Sequence, residues 1–526
     1  MRNYTYLFLV LLILVNQGCT SKKEIQQKPN ILFAIADDAS WKHFGAYGCD
    51  WVKTPAFDYI ADNGILFTNA YTPNAKCAPS RACILTGRNS WQLEEACNHS
   101  PNFPAKFKTY VEALGENGYF IGSVAKGWAP GNPGEINGRK RELTGPKFDE
   151  FTTVPPTSQI NKNDYARNFE AFLDAKPEGQ PFCFWYGSTE PHRRYEFESG
   201  IKKGGKNTAE IDEVPDFWPD VDTIRKDMLD YAFEIEYFDS HLDKMLKKLD
   251  ELGELENTIV VVTADNGMPF PRIKGQVYEY SNHLPLAIMW PKGIKNPGRT
   301  VDDIVSFIDF APTYFDITGI NPENAGMVPM SGKSLTDILY VEKEGQVNPE
   351  RNFVLVGKER HDVGRPNDEG YPVRGILSDG FLYLRNFKPE RWPLGNPETG
   401  YLNCDGSPTK TYLLDTRRKK GIMEYWQLNF GKRDNEELYN ILKDPFCMNN
   451  LATNNNYSEI KTRLEAQMTE KLREQNDPRI LGDGDIFDNY EYSGAVRNYY
   501  NRYMNGENIP ADWVNKTDYD PDLTGE

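Results

Sequence analysis

The chain has 526 residues, of which 39% are hydrophobic and 13% are aromatic. This composition can bury a large core and excludes a globally disordered chain. The formal net charge of −17 argues against nucleic acid as a partner, because phosphate backbones are bound by lysine and arginine.

The N-terminus has the pattern of a signal peptide. Residues 7–15 form an apolar run that is too short to span a bilayer. The sequence around Cys19 resembles a lipoprotein cleavage site, although Asn16 stands where such sites usually carry an aliphatic residue. We therefore predict a signal peptide at 1–18, a tether at 19–28, lipidation of Cys19, and an exported cell-envelope lipoprotein on the periplasmic or outer-membrane surface, held to the membrane only by its lipid.

The first predicted strand ends in two carboxylates. Residues 30–36 are apolar and are followed directly by Asp37 and Asp38. A buried parallel strand with polar groups at its carboxyl end has this profile, and open α/β sheets place their sites there. The alternative is a pair of helix-capping aspartates. A helix over 54–64 and a strand over 65–70 follow.

Cys77 begins the stretch that we expect to carry the chemistry. Pro79 fits the first position of a short helix, and Gly87 fits its end. Cys77 would then lie just before a helix N-terminus, where a bare thiol is acidified and nucleophilic. The alternative is a small buried residue before a helix.

Three further predicted strands end in polar residues. The strand over 119–124 precedes Lys126 and Trp128, the run over 182–186 precedes His192, and the β-branched strand over 258–263 precedes Asp265 and Asn266. An amphipathic helix over 228–249 stops at Gly253, with His241 on its solvated side. The remaining predicted elements are strands over 284–290 and 352–356, a helix end at 313–319, and a charged helix over 457–475.

Two pairs of oxygen ligands predict a metal site. Asp37 and Asp38 follow one predicted strand, while Asp265 and Asn266 follow another. Hard oxygen ligands select Ca²⁺ or Mg²⁺ rather than Zn²⁺. Each pair alone is a weak signal, but the two pairs together with Cys77 form a strong one.

The sequence Cys-Ala-Pro-Ser-Arg at 77–81, followed by Leu-Thr-Gly-Arg at 85–88, resembles the signature of the type I sulfatases. The resemblance implies that Cys77 is oxidised to formylglycine by a formylglycine-generating or anaerobic sulfatase-maturing enzyme. It also implies an α/β fold, with an alkaline-phosphatase-like central mixed sheet flanked by helices and a smaller C-terminal α+β subdomain. We place the catalytic domain at 29–380 and the subdomain with its tail at 381–526.

The same resemblance assigns roles to individual residues. One divalent cation, Ca²⁺ rather than Mg²⁺, would lie on residue 77 and the four oxygen ligands. Lys126, His192 and Lys274 would contact the sulfate, and Arg81 would hold the formylglycine. The spelling is most similar to the sulfamidase-like branch, at residues 190–193, 265–271 and 360–362.

The chain departs from this family pattern at Trp128. Many relatives carry a histidine there that helps the aldehyde to re-form. Either His99 or a water molecule would take over that proton, and Trp128 could form a wall for a sugar ring.

A polar cluster after the strand over 352–356 is the predicted sugar-binding region. Its members are Lys358, Arg360, His361 and Asp362. The alternative interpretation is a solvated loop.

The predicted function is removal of sulfate from sulfated polysaccharides by an exported enzyme. The resemblance is compatible with heparan-type N-sulfoglucosamine and with sulfate esters of algal glycans such as ulvan. A phosphatase or phosphonate hydrolase of the same superfamily is one alternative, but the chain has only six histidines for a two-metal site. A non-catalytic glycan-binding lipoprotein is the other, and it would have lost Cys77 or the metal ligands.

Overall fold

A computed structural model of the chain describes residues 28–523. The predicted signal peptide, the lipidation of Cys19 and all of the tether except its last residue lie outside the described residues. Among the described residues no helix is long and apolar enough to cross a membrane. The seven cysteines in this part of the chain are all free and buried.

The strands form one large mixed sheet and one smaller antiparallel sheet, with two short two-stranded ribbons. The large sheet has the order β10-β2-β9-β8-β1-β7-β4 and the small sheet the order β12-β13-β14-β15. The strands are β1 Asn30–Ala36, β2 Ile65–Phe67, β3 Ala70–Tyr71, β4 Phe120–Ala125, β5 Glu135–Ile136, β6 Arg139–Lys140, β7 Phe182–Gly187, β8 Thr258–Ala264, β9 Leu286–Met289, β10 Arg299–Val301, β11 Val305–Ser306, β12 Phe353–Lys358, β13 Val373–Ser378, β14 Phe381–Asn386 and β15 Glu436–Asn440.

Helices cover both faces of the large sheet. They are α1 Pro55–Asp62, α2 Cys77–Thr86, α3 Tyr110–Glu116, α4 Tyr165–Ala175, α5 Ser199–Lys202, α6 Asp222–Glu251, α7 Glu279–Asn282, α8 Phe310–Thr318, α9 Thr336–Leu339, α10 Pro408–Lys420, α11 Glu424–Phe430, α12 Ser458–Glu474, α13 Pro478–Leu481, α14 Ile486–Asn489 and α15 Tyr499–Met504.

The central strand β1 explains why the sheet is buried on both faces. Successive side chains of a strand point to opposite faces. Leu32 and Ala34 pack into the core cluster that contains the apolar face of α6. Ile31 and Phe33 pack into the cluster that contains residues of α2, α3 and α8. The predicted sheet flanked by helices is therefore confirmed.

Helix α6 is buried on more than its apolar face. The prediction placed His241 on the solvated side of this helix, but its side chain is only 3% exposed. The imidazole packs edge-on against Tyr165 and Tyr237. Because α4 lies against α6, the polar side of the helix is covered around His241, which the period of the apolar residues could not reveal.

The smaller sheet crosses the predicted domain boundary. Strand β13 ends at Ser378 and pairs with β14, which begins at Phe381. A boundary after residue 380 would therefore cut a hairpin whose strands share a ladder of hydrogen bonds. The smaller sheet begins at Phe353, and α12 packs on it through Leu464, Met468 and Leu472. The smaller sheet therefore begins earlier in the chain than the change in composition near residue 380 that set the predicted boundary.

Candidate active site

The sheet brings the predicted site residues to one edge. Strands β8, β1, β7 and β4 are neighbours and all run parallel. Ala36 is level with Ala264, so Asp37 and Asp265 leave adjacent strands at the same height. Lys126 follows β4, and His192 lies five residues beyond β7.

Helix α2 carries Cys77 to the same edge. The helix begins at Cys77 itself, so Pro79 occupies its third position rather than the predicted first. It ends as predicted at Gly87, whose φ of 68° is the left-handed conformation that glycine adopts without strain. The thiol Sγ lies 3.4 Å from Asp37 Oδ1 and 3.7 Å from Asp38 Oδ1.

The thiol of Cys77 is not acidified in these surroundings. Burial, together with the negative charge of Asp37, raises the pKa of Cys77 well above its ordinary value. The prediction of an acidified thiol, made from the helix N-terminus alone, was therefore wrong. Burial, which is the largest cause, and the carboxylates beside the sulfur both disfavour the thiolate, so an unmodified thiol is a poor nucleophile here.

Four of the predicted ligands are close enough to bind one cation. Ligand atoms of Asp37, Asp38, Cys77 and Asp265 all lie within 4.8 Å of one another, and all four residues are buried. Asn266 Nδ2 donates to Asp38 Oδ1 at 2.8 Å. Asn266 Oδ1 is buried and has no hydrogen-bond partner among the described residues. Such an unpaired oxygen beside three carboxylates fits a divalent metal with oxygen ligands.

Three cations surround these carboxylates. Arg81 Nε donates to Asp265 Oδ2 at 2.8 Å, and its Nη1 donates to the carbonyls of Lys126 and Gly127. Lys126 Nζ lies 2.5 Å from Asp37 Oδ2. Lys274 Nζ lies 2.6 Å from Asp38 Oδ2. The cluster therefore balances much of its own negative charge.

The pKa values of these groups follow from the pairing. Burial opposes ionisation of Asp37, but the ammonium of Lys126 outweighs it and lowers the pKa of Asp37 to about 2. Burial likewise opposes charge on the two lysines, yet the carboxylates raise the pKa of Lys126 and of Lys274. Both lysines are cationic at neutral pH.

His192 is held with one nitrogen toward the cluster. Nδ1 lies 2.6 Å from the carbonyl of Arg193, which can only accept, so Nδ1 carries the proton of the neutral ring. Nε2 lies 3.9 Å from Asp38 Oδ2, and the side chain is 32% exposed. The ring can therefore exchange a proton with a bound molecule through Nε2.

A cavity of about 340 Å³ opens over Cys77, and we call it the Cys77 cavity. Lys126, His192 and Lys274 line it, together with His99 and Asp362. Sequence reasoning missed four charged or aromatic residues that also line the cavity. They are Lys76, Asp405, Tyr492 and Trp513.

Only one of these four residues stands next to a sequence motif that could have indicated its place in the site. Lys76 precedes Cys77 and pairs with Asp362 at 3.1 Å, so its place next to the signature was a usable signal. Asp405 pairs with Lys274 at 2.8 Å but lies in a distant loop with no motif. Tyr492 and Trp513 come from the C-terminal tail, where no motif marks them.

The predicted sugar-binding cluster is divided by the fold. Asp362 lines the Cys77 cavity, but three other members do not. Lys358 Nζ donates to the carbonyl of Gly275 at 2.7 Å, and Arg360 Nη1 donates to the carbonyl of Tyr490 at 2.5 Å. His361 bonds the same Gly275 carbonyl and Asn74 Oδ1.

Both interpretations of that cluster therefore need correction for Lys358, Arg360 and His361. Each is at most 1% exposed, so none lies in a solvated loop and none faces a substrate. Each of the three makes at least one hydrogen bond to a neighbouring segment of the chain.

Trp128 does not line the Cys77 cavity either. Its Nε1 donates to the carbonyl of Ala78 at 3.0 Å and so fastens the first turn of α2. His99 does line the cavity, with Nδ1 3.7 Å from Asp362 Oδ1. Burial lowers the pKa of His99 to about 4, so its ring is neutral at neutral pH and can accept a proton.

Residues 29–320 match the family model described as Sulfatase, which is more than half of the chain. The chain belongs to the sulfatase family. An ulvan-active sulfatase from Formosa agariphila is 30% identical over 462 residues, which cover 86% of this chain and 82% of the relative. The N-sulphoglucosamine sulphohydrolase of Homo sapiens is 25% identical over 499 residues, covering 87% and 93%.

A solved structure supports the fold. A protein in complex with its substrate D-glucosamine-2-N,6-O-disulfate superposes with a TM-score of 0.61 and 20% sequence identity, over 86% of this chain and 98% of that protein. The predicted fold class is therefore confirmed. Family membership confirms the predicted enzyme class, a hydrolase of sulfuric esters or sulfamides.

Proposed function

We propose that this sulfatase removes sulfate from sulfated polysaccharides or their oligosaccharides, using a formylglycine made from Cys77. The observation that carries the proposal is the Cys77 cavity. There a residue of the sulfatase signature lies beside a carboxylate cluster, and Lys126, Lys274 and His192 line the same space. The sulfate group of the substrate is an anion and needs cations around it, and these lysines supply them.

Calcium is the proposed metal, with Mg²⁺ as the less favoured choice. Asp37, Asp38, Asp265, Asn266 and residue 77 would hold it. When bound, the cation would neutralise charge on the sulfate oxygens and favour the ionised form of a hydroxyl on the hydrated aldehyde. The unpaired oxygen of Asn266 supports a ligand at this position.

The other residues have separate proposed tasks. Arg81, fixed by Asp265 and two backbone carbonyls, would orient the formylglycine. Lys126 and Lys274 would bind the sulfate oxygens that face them. His192 would act in its imidazolium form, giving the proton on Nε2 to the leaving oxygen or nitrogen of the sugar and keeping the proton on Nδ1.

His99 is the proposed proton acceptor when the aldehyde re-forms. It lines the cavity and is neutral at neutral pH, whereas the ring of Trp128 has no basic nitrogen. A water molecule held in the cavity is the alternative.

The substrate remains one of two classes, ulvan-type sulfate esters or heparan-type N-sulfoglucosamine. One relative is named as active on ulvan, and the other is named as a hydrolase of N-sulphoglucosamine. Asp362, held by Lys76 and lining the cavity, would accept hydrogen bonds from sugar hydroxyls. Release of inorganic sulfate from ulvan and from heparan sulfate oligosaccharides by the matured enzyme decides between them, and aryl phosphate turnover exceeding both would favour a phosphatase instead.

The proposed location is the cell envelope. A signal peptide at 1–18 and a lipid on Cys19 would export and anchor the enzyme, and a formylglycine-generating or anaerobic maturing enzyme would act on Cys77. The mass of the mature N-terminal peptide tests the anchor: a diacylglycerol mass on Cys19 supports it, and an unmodified Cys19 in a lipoprotein-processing host contradicts it.

A further inference from the structure

A second cavity lies beside the Cys77 cavity, and we call it the Trp128 cavity because Trp128 lies in its wall. Its volume of about 640 Å³ falls within the range of ligand pockets. Lys126 and Ala129 line both cavities. A ligand that leaves the Cys77 cavity past Lys126 therefore meets the Trp128 cavity next.

Uncharged polar side chains form much of its wall. They are Thr144, Asn161, Asn163 and Thr189. Asn161 Oδ1 accepts from the backbone of Asn163 at 2.8 Å, and Asn163 Nδ2 donates to Asp149 Oδ1 at 3.3 Å, so this part of the wall is fixed in place. Hydroxyl and amide groups suit sugar hydroxyls, and they do not suit an apolar peptide face or a lipid.

The cavity also has a cation with unused hydrogen-bonding capacity. Glu112 holds the guanidinium of Arg141 through Nε at 2.9 Å and Nη2 at 2.7 Å. Arg141 Nη1 is buried and has no hydrogen-bond partner among the described residues. Arg141 lines the cavity next to the exposed Lys140, so two adjacent cations border it.

The carboxylates in this wall do not cancel those cations fully. Asp149 Oδ1 accepts from the backbone of Ala125 at 2.7 Å, and its Oδ2 lies 3.6 Å from Lys147 Nζ. Glu142 is exposed and is the remaining acidic residue of the wall. Glu112 balances the charge of Arg141, so among the cations of this wall only Lys140 has no carboxylate partner among the described residues, and an anion is favoured next to it.

We propose that the Trp128 cavity binds the sugar next to the one that loses its sulfate, and that this neighbour carries its own sulfate or carboxylate facing Lys140. The inference rests on the proposed function, since it assumes a glycan in the Cys77 cavity. The enzyme then recognises at least two consecutive sugars of an anionic polysaccharide. Substrates longer than this pair of sugars gain nothing further from the cavity.

The test compares oligosaccharide lengths on charge-reversal variants. Wild-type protein is produced without a maturing enzyme, so that the thiol remains and binding can be measured without turnover. Affinities are measured for three ligands from each of ulvan and heparan sulfate. They are the sulfated disaccharide, the same disaccharide without the sulfate on the neighbouring sugar, and the sulfated monosaccharide. Lys140→Glu is the test variant. Arg139→Glu is the matched control, because it makes the same charge change on the adjacent residue of strand β6, which does not line the cavity.

We expect the sulfated disaccharide to bind about tenfold tighter than the monosaccharide to the wild type, in at least one of the two glycan series. Lys140→Glu lowers disaccharide affinity about threefold to tenfold and leaves monosaccharide affinity unchanged, and added salt reduces the difference. Arg139→Glu has no such selective effect. Equal binding of both lengths, no binding of either, or equal losses in the two variants overturns the inference.

Sulfate release by the matured enzyme separates this inference from the proposed function. If the matured enzyme desulfates a polysaccharide while Lys140→Glu behaves like Arg139→Glu, only the second subsite is wrong. If no sulfated glycan is desulfated, the proposed function itself fails.

Discussion

Lys274 joins two carboxylates from distant parts of the chain, and replacing it with alanine leaves both without this partner. Its Nζ lies 2.6 Å from Asp38 Oδ2 and 2.8 Å from Asp405 Oδ2, and the lysine side chain is only 2% exposed. Water therefore screens these charges weakly. Removal of one partner from a buried ion pair costs about 3–5 kcal/mol, so we expect Lys274→Ala to lower the free energy of unfolding by about that amount.

Lys274→Ala should also slow catalysis beyond its effect on stability. A lost cation at the charged sulfate group corresponds to a fall of about 10²–10³ in kcat. Lys274→Arg is the matched control, because it keeps a cation at this position, and it should recover most of the stability and activity. Thermal unfolding and sulfate release from a glycan that the wild type desulfates measure the two effects separately.

Two results would refute the reasoning about Lys274. A Lys274→Ala variant with the thermal midpoint of the wild type would show that the pairs with Asp38 and Asp405 do not stabilise the fold. A destabilised variant with wild-type kcat would show that the lysine stabilises the fold but does not contact the sulfate. The double variant with Asp405→Asn should lose less stability than the sum of the single variants, because the buried Asp405 carboxylate is then absent.

Three further predictions concern the metal, the pH dependence and the revised sugar-binding cluster. Saturating CaCl₂ should raise the thermal midpoint of Asn266→Ala less than that of the wild type. In the wild type, Ca²⁺ at a 100-fold excess over Kd contributes about 2.7 kcal/mol to the free energy of unfolding. Equal shifts would exclude Asn266 as a ligand. Burial opposes ionisation of Asp405, but Lys274 holds its pKa below the ordinary value, so its stabilisation is complete above about pH 4 and is lost below it. Asp405→Asn should therefore lose less stability than the wild type between about pH 4 and pH 2, as acid titrations monitored by circular dichroism would measure. An equal loss would contradict this. Lys358→Met should leave the KM for the glycan within about twofold of wild type, because its amino group faces Gly275 and not the Cys77 cavity; a tenfold rise in KM would contradict the structure.

The sequence predicted well which residues meet at the edge of the large sheet, because the pattern that marks them is local. Apolar runs such as 30–36 and 258–263 stop abruptly at polar residues, and parallel neighbours must place those residues together. The helix that carries Cys77 could likewise be read from Pro79 and Gly87, with an error of two residues at its start.

Other parts of the site depend on contacts that no local pattern records. The cluster at 358–361 looks polar in the sequence, yet it folds inward against Gly275 and Tyr490. Asp405 reaches Lys274 across 131 residues of chain. Burial of the Cys77 thiol and the charge of Asp37 raise its pKa, and neither can be read from its position at a helix N-terminus.

The central claim is that residue 77 reacts as formylglycine, and the mass of the peptide that contains it tests this most directly. Enzyme made with and without a maturing enzyme is digested, and the mass at residue 77 is compared with sulfate release by the same samples. We predict the aldehyde mass in the active sample and activity that rises in proportion to the modified fraction. A thiol at residue 77 in a fully active sample would contradict the claim.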